Sequence, residues 1–269
     1  MSGIASLIFA AGKGSRMIGY NGNKTLLPLI PGRSRFEGIQ PLIREVLDNV
    51  PPGPRGIVVG HCADDVRRAV EASGITFIEQ PVANGTGGAL LAAGDFIRSV
   101  DSDYVVITMG DVPLIRSTTY DKLLEMLRTC DMALLAFEPE QRAQYGMLEM
   151  EGARVARIVE WKYWSKFPME RQQKLRYCNA GVYAARRQIL LRYMENLENR
   201  AHEVHKERDG QWITIREYFL TDLAEMMHGD GLTVGMAGVS EDEVTGVDTP
   251  ESLEAVQKIY AEKFRLSVV

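Results

Sequence analysis

Apolar positions along the first half of the chain fall into short runs separated by stretches with helical spacing. Ile4–Ala10 (IASLIFA) predicts a strand, residues 40–50 a helix, and residues 56–60 (GIVVG) a second strand. Residues 64–72 predict a helix, Ile75–Glu79 an extended segment, and residues 87–100 one further helix. Tyr104–Met109 (YVVITM) is unbroken, apolar and rich in β-branched residues, the pattern of a strand covered on both faces. Strands alternating with helices imply βαβ units and a Rossmann-like, mostly parallel twisted sheet. Right-handed crossovers then place helices on both faces.

The pattern loosens after Asp131. Residues 132–137 (MALLAF) predict another strand, 146–149 and 153–159 a short hairpin, and 179–184 a further strand. Residues 213–227 read as helical and 232–235 as extended. A last helix begins in DTPESLEAVQKI, where Thr249 suits the N-cap and Pro250 the first helical position. No repeat, low-complexity tract or linker interrupts the chain. The expectation is a single α/β unit whose second half contributes an inserted lobe over the carboxyl edge of the sheet.

That edge is where open α/β sheets bind ligands. Three unusual loops leave strands there: FAAGKGSRM (9–17), QPVANGTGG (80–88) and GDVPL (110–114). In the first, Gly12 and Gly14 permit close approach of backbone to a ligand, and successive N–H groups beside a helix N-terminus favour anions. Lys13 and Arg16 add positive charge there; an ordinary βα turn with two solvated cations is the alternative. Lys24 follows closely and can reach a phosphate as a point charge. Asp111, at the end of a buried strand, suits Mg²⁺, which takes one or two carboxylates together with phosphates and water; a turn or cap aspartate reads equally from the sequence. Asp248 offers a second carboxylate or a helix-start residue. The amide of Gln80 can donate and accept at once, which suits the edge of a pyrimidine.

Composition narrows the classes. Of 269 residues 45% are hydrophobic and 25% charged, ordinary values for a globular chain, and the net charge of −5 argues against general nucleic-acid binding. No apolar run approaches the roughly 20 residues needed to span a bilayer, and no secretory signal is apparent. The three cysteines have neither metal-ligand spacing nor a disulfide framework, which points to reduced thiols in a cytoplasmic protein. His202 and His205, three apart, read as a solvated polar loop or helix end rather than a metal site.

Taken with Lys24, the first loop resembles the nucleotide-binding signature of sugar-phosphate nucleotidylyltransferases. QPVANGTGGA is similar to their pyrimidine loop and GDVPLI to their metal-binding strand end; YGML, RIVEWK, NAGVYA, EYFLTD and GVDTPESLE extend the likeness over nearly the whole chain. Within the family, the branch that transfers uridylyl groups to N-acetylglucosamine 1-phosphate is more similar than the thymidylyltransferases. The resemblance implies the nucleotide-diphospho-sugar transferase type of fold. It also implies UTP and a sugar 1-phosphate as substrates, with Mg²⁺ on Asp111 and Asp248. Phe9, Ala10, Ala11, Gly12 and Gly14 would hold the nucleotide, with Gln80, Gly85 and Thr86 around the base and Gly110 closing the site beside Asp111. Arg16, Lys24 and Lys13 would offset phosphate charge in catalysis. Gly146, Glu160 and Asn179 would hold the sugar. A transferase using dTTP or CTP, one acting on a hexose 1-phosphate or phosphocholine, and a non-catalytic nucleotide sensor remain the alternatives. The chain departs from the family pattern in four places. The gap between Met17 and Lys24 is long by one residue, and PGRSRFEGIQPLI replaces the usual short Gly-Lys-Pro segment. YGML lacks the Arg of the usual YGRI, and residues 161–177 are unusually aromatic and basic. These departures bear on the acceptor more than on the nucleotide. No hexapeptide-repeat acetyltransferase domain is expected, and the oligomeric state is not legible.

Overall fold

Strand β1 (Ile4–Ala10) is covered on both faces. Ala5, Leu7 and Phe9 enter one apolar core, whereas Ile8 and Ala10 enter another. The computed structural model describes residues 3–70, 74–208 and 211–267. After β1 come the hairpin β2 (Pro28–Ser34) and β3 (Glu37–Pro41), α1 (Leu42–Asn49), β4 (Arg55–Val59), α2 (Ala63–Ala69), β5 (Ile75–Glu79), α3 (Gly85–Ala92), α4 (Gly94–Ser99), β6 (Tyr104–Met109), α5 (Ser117–Met126) and β7 (Met132–Phe137). The second half adds β8 (Met147–Glu151), β9 (Arg154–Val159), α6 (Trp161–Trp164), α7 (Met169–Lys174), β10 (Cys178–Arg186) and α8 (Arg187–Glu198). It ends with β11 (His202–Arg208), β12 (Gln211–Glu217), α9 (Asp222–Gly229), β13 (Val234–Gly238) and α10 (Pro250–Ser267).

The main sheet has the order β13-β7-β10-β6-β1-β4-β5, parallel except for β10, with β8 and β9 extending it from β10. Helices α3, α4, α8 and α9 cover one face, and α1, α2 and α5 the other. A third apolar cluster packs α10 on β2, through Leu253, Val256 and Tyr260 against Leu27 and Leu29. The expected doubly covered, mostly parallel sheet is therefore present. All three cysteines are free, and burial, the main cause, pushes the Cys178 thiol up to about 12, far from a reactive thiolate.

Three expectations need correction. Residues 213–227 are not one helix: β12 ends at Glu217, a bend follows, and α9 starts at Asp222. The β-branched Ile213-Thr214-Ile215 pairs across to β11, Ile215 opposite Val204 and Ile213 opposite Lys206. His202 and His205 accordingly stand on a strand, an odd number of residues apart, so their side chains point to opposite faces. Residues 87–100 form two helices that meet at Ala93, the first beginning at Gly85. The helix expected over 64–72 ends at Ala69, and its positions 71 and 72 lie outside the described residues.

Candidate active site

The carboxyl ends of β1, β5 and β6 open onto a crevice of about 320 Å³. Phe9, Ala10, Ala11, Gly12, Lys24, Gln80, Gly85, Thr86 and Asp111 all line it, so the three loops singled out from the sequence converge as expected. At Gly12 an added Cβ would meet nothing within 4 Å, which leaves its backbone open to a ligand. Gly14 has φ +61° and lies against the Lys24 stem, and the N–H of Gly110 donates to Phe9 O at 2.9 Å.

What joins the glycine loop to Lys24 is Asn23, a residue that sequence reasoning missed. It is fully buried, and its Nδ2 donates to Ala10 O at 2.7 Å and to His61 O at 2.8 Å. Its Oδ1 accepts from the backbone N–H and the hydroxyl of Thr25 at 3.0 and 2.8 Å. Both N–H donors and both oxygen lone pairs of this amide are therefore used, and they fix the 3-10 turn that presents Lys24.

Lys24 meets both candidate metal carboxylates. Its Nζ pairs with Asp111 Oδ2 and, at 2.5 Å, with Asp248 Oδ1; Arg16 reaches Asp248 Oδ2 at 2.9 Å. The two aspartates come from distant parts of the sequence because the N–H of Val247 donates to Asp111 O at 2.9 Å, tying the loop before α10 to the end of β6. Asp248 leaves the helix start to its neighbours: Ser252 N donates to Thr249 Oγ1 at 3.2 Å, and Thr249 N to Ser252 Oγ at 3.0 Å. That frees the Asp248 carboxylate for the site, while Thr249 and Pro250 take the positions expected of them.

The electrostatics follow from this cluster. Burial alone disfavours the charged form of Lys24, but Asp111 and Asp248 outweigh it and hold the amine protonated far above its usual range. Burial likewise acts to raise Asp248, and Lys24 and Arg16 overcome it, leaving its pKa lowered. Two carboxylates that share one ammonium supply hard oxygen ligands on one side of the crevice, a donor set that fits Mg²⁺ completed by phosphate oxygens and water. Among the described residues no cluster of three or more His, Cys, Asp or Glu forms a self-sufficient metal cage.

The base loop is held differently from the expectation. Gln80 lines the crevice, but its Nε2 donates to Asn84 Oδ1 at 3.0 Å and to Gly85 O at 3.1 Å. Its amide nitrogen thus fixes the loop, and its oxygen is the atom left to face a base. Gly85 has φ +92°, and a Cβ there would sit 2.4 Å from Tyr218 O; at Gly87 it would sit 2.7 Å from Tyr218 C. These glycines admit the chain at Tyr218. Lys13 stands apart from Arg16 and Lys24, lining an adjoining cavity with His61, Glu79 and Val82. Glu217, buried and unforeseen, lines the same crevice as Lys24 and Asp111.

Gly146, Glu160 and Asn179 do come together. Asn179 N donates to Gly146 O at 2.8 Å, and a Cβ on Gly146 would lie 3.7 Å from Glu160 Oε2. Glu160 accepts from Thr221 Oγ1 at 2.9 Å. The Asn179 side chain is engaged within its own strand, donating to Tyr183 Oη at 2.6 Å and accepting from Gly181 N at 3.0 Å. Glu160 lines a second cavity, separate from the first crevice. The two histidines that might have held a metal are used otherwise: His202 pairs with Asp222 at 2.7 Å and His205 with Thr214 at 2.9 Å.

Residues 6–232 match the MobA-like NTP transferase domain. A bifunctional protein GlmU from Koribacter versatilis is 33% identical over 259 residues, which cover 94% of this chain and 50% of that protein. The chain spans about half the length of the curated relatives it matches. The uridine diphosphate N-acetylglucosamine pyrophosphorylase of Trypanosoma brucei superposes with a TM-score of 0.71 at 14% identity, over 95% of this chain and 65% of that one. A CMP:2-keto-3-deoxy-manno-octonic acid synthetase complexed with CTP superposes with a TM-score of 0.64 at 20% identity, over 97% of this chain and 100% of that one. At such identities the structural likeness is one of fold, the nucleotide-diphospho-sugar transferase type. With a family match that takes in both the glycine loop and the β6 end, the chain belongs to the MobA-like NTP transferase family and is a nucleotidyltransferase.

Proposed function

We propose that the protein is a uridylyltransferase that joins UTP to a sugar 1-phosphate, N-acetylglucosamine 1-phosphate, releasing pyrophosphate. The observation that carries this reading is the meeting of Lys24, Arg16, Asp111 and Asp248 at the mouth of a crevice floored by the glycine loop. The open backbone at Gly12 receives the triphosphate, and the Gln80 oxygen accepts from the imide N–H of uracil. A phosphate oxygen of the sugar 1-phosphate attacks the α-phosphorus in line. This oxygen is anionic near neutral pH, so no side-chain base has to remove a proton. Lys24 and Arg16 offset the charge that builds on the α-phosphate and on departing pyrophosphate, by positioning and electrostatics rather than covalent chemistry. Asp111 and Asp248 would hold Mg²⁺, which would supply neutralisation of phosphate charge. Gly146 and Glu160 receive the acceptor ring, and the Gly146 and Glu160 placement supports a hydroxyl-rich acceptor. The N-acetylglucosamine assignment rests on the likeness of the sequence to the branch that transfers uridylyl groups to N-acetylglucosamine 1-phosphate.

Pyrophosphate release over a panel of UTP, dTTP and CTP against N-acetylglucosamine 1-phosphate, glucose 1-phosphate and phosphocholine tests the reading. UTP with N-acetylglucosamine 1-phosphate is expected to be the best pair. Asp111→Asn should lower its turnover by about 100- to 1000-fold, the effect of losing one preorganised charge-stabilising group. A best pair with another nucleotide or with phosphocholine overturns the assignment, and turnover of the folded variant at the wild-type rate removes Asp111 from the metal site.

A further inference from the structure

PGRSRFEGIQPLI, residues 31–43, departs from the family pattern, and in the fold it forms most of the hairpin β2–β3 and leads into α1. The turn of this hairpin, Arg35-Phe36, is clamped on α10. Gln257 is buried, and its Nε2 donates to Pro28 O at 2.8 Å and to Arg35 O at 2.9 Å. Arg35 also pairs with Glu254 at 3.0 Å. Leu29 of β2 joins Leu253, Val256 and Tyr260 of α10 in the third apolar cluster. The backbone just before Phe36 is therefore fixed to the body of the protein, although the hairpin is largely exposed.

From that turn Phe36 reaches the loop that follows the glycines. Its ring stacks on Tyr20, with centroids 5.8 Å apart and planes inclined by 27°. Gly19, at φ +86°, lies under the same ring, where a Cβ would sit 3.5 Å from it. At Gly22 a Cβ would meet the Tyr20 hydroxyl at 2.6 Å, so Tyr20 folds across its own loop. Tyr20 N donates to Met17 O at 3.3 Å, and Tyr20 Oη to Asn23 O at 3.4 Å. Arg16 stands at the start of this turn. Its side chain is 62% exposed, yet it reaches Asp248 at 2.9 Å. A long exposed side chain loses entropy when held in one geometry, so its place depends on how firmly the backbone beneath it is held. The supports close into a ring. Asp248 lies two residues before α10, α10 holds the hairpin, the hairpin presents Phe36, and Phe36 packs on the loop that carries Arg16.

We propose that Phe36 and Tyr20 are positioning residues for Arg16: the stacked pair holds the loop so that the guanidinium stays at the phosphate end of the crevice. Neither ring is among the described residues that line the crevice, so the pair acts through Arg16 and not on a substrate. Without the stack the loop samples arrangements in which Arg16 misses the charge building on the departing pyrophosphate. Small misplacements of a charge-stabilising group are costly to the rate. The proposal rests on the role given to Arg16 above and adds the residues that set its place.

Initial rates with the best nucleotide and acceptor pair of the substrate panel test it, whichever pair that is. Phe36→Ala should lower kcat about tenfold and leave the acceptor KM within about twofold. Phe36→Tyr, which keeps the ring, should retain most of the rate. Tyr20→Leu removes the stack from the other side and should match Phe36→Ala. Thermal midpoints identify the folded variants. In an Arg16→Ala background each of the two substitutions should cost less than about twofold, because the group they position is gone. An equal fold-loss with and without Arg16 overturns the proposal, since the pair then supports the fold or some other group. Turnover of Phe36→Ala and Tyr20→Leu at the wild-type rate overturns it too. Turnover of Arg16→Ala at the wild-type rate removes Arg16 from the catalytic machinery and this inference with it. A best pair other than UTP with N-acetylglucosamine 1-phosphate changes the substrate reading alone.

Discussion

Lys24 sits between two carboxylates, and most of the chemistry at the mouth of the crevice follows from that position. Asp248 has a lowered pKa, so its ion pair contributes fully above the ordinary value of 3.8 and is lost as pH falls below it. The amine of Lys24 is raised above 10.5, so its side of the pair is lost only as pH rises beyond that value. Lys24→Met removes the pair and leaves Asp111 facing Asp248. The thermal midpoint of the variant should lie below that of the wild type at neutral pH, and the gap should narrow as pH falls below 3.8 and Asp248, whose pKa is lowered, loses its charge. Because two unneutralised carboxylates attract a cation, MgCl₂ should raise the midpoint of Lys24→Met more than that of the wild type. An equal rise in both proteins would argue against Asp111 and Asp248 as metal ligands. Asn23 acts one step behind this cluster. Asn23→Ala strips partners from Ala10 O, His61 O and the Thr25 N–H and hydroxyl, and unpaired buried polar groups cost about 1–3 kcal/mol each. Urea titration should show at least about 2 kcal/mol of lost stability, and turnover should fall because the Lys24 turn is no longer tied to the glycine loop.

Elements explain why some of this was legible in the sequence and some was not. The β1 and β6 strands and their loops could be read because their signals are local: an apolar run, then glycines, or an apolar run ending in Asp111. The hairpin β11–β12 could not, because Ile213 and Ile215 become a strand through pairing with residues that precede them, and the apolar residues 218–220 then mimic a helical continuation. Asn23 carried no signal either, since its role lies in a bond to His61, 38 positions on. The glycines of the base loop were legible as glycines, yet their reason was not. Gly87 N donates to Tyr218 O at 2.8 Å, and Tyr218 N donates to Asn84 O at 2.9 Å, so α3 rests directly on the backbone after β12. Gly87→Ala would press a methyl group on Tyr218 and Phe219 backbone atoms that cannot rotate away. About 1–3 kcal/mol of stability should be lost, together with nucleotide affinity, because Gly85 and Thr86 line the crevice. Denaturant unfolding and calorimetric titration with UTP check the two halves of that prediction. An alanine variant as stable as the wild type would mean that α3 can slide along residue 218.

At the scale of the molecule, one short segment separates two cavities. Glu217 lines the nucleotide crevice, and Phe219 and Thr221 line the pocket that holds Glu160. Leu220 N, between them, donates to Thr86 Oγ1 at 3.2 Å, so the segment is fastened to the base loop on one side, and Thr221 is fastened to Glu160 on the other. Substitutions on the acceptor side should therefore act on acceptor kinetics with little effect on the nucleotide. Glu160→Gln keeps the shape and the acceptance from Thr221 but removes the charge proposed to bind ring hydroxyls. The KM for the sugar 1-phosphate should rise about tenfold, the effect of one weakened charge-assisted hydrogen bond, while the dissociation constant for UTP stays within about twofold. Initial rates with the sugar phosphate varied at saturating UTP, beside calorimetric titration of UTP alone, separate the two quantities. If UTP binding weakens as much as acceptor use, the segment from Glu217 to Thr221 transmits the change, and the two cavities work as a single site. If the acceptor KM is unmoved for every sugar phosphate that is turned over, Glu160 serves to hold Thr221 and the start of α9 rather than to bind a sugar.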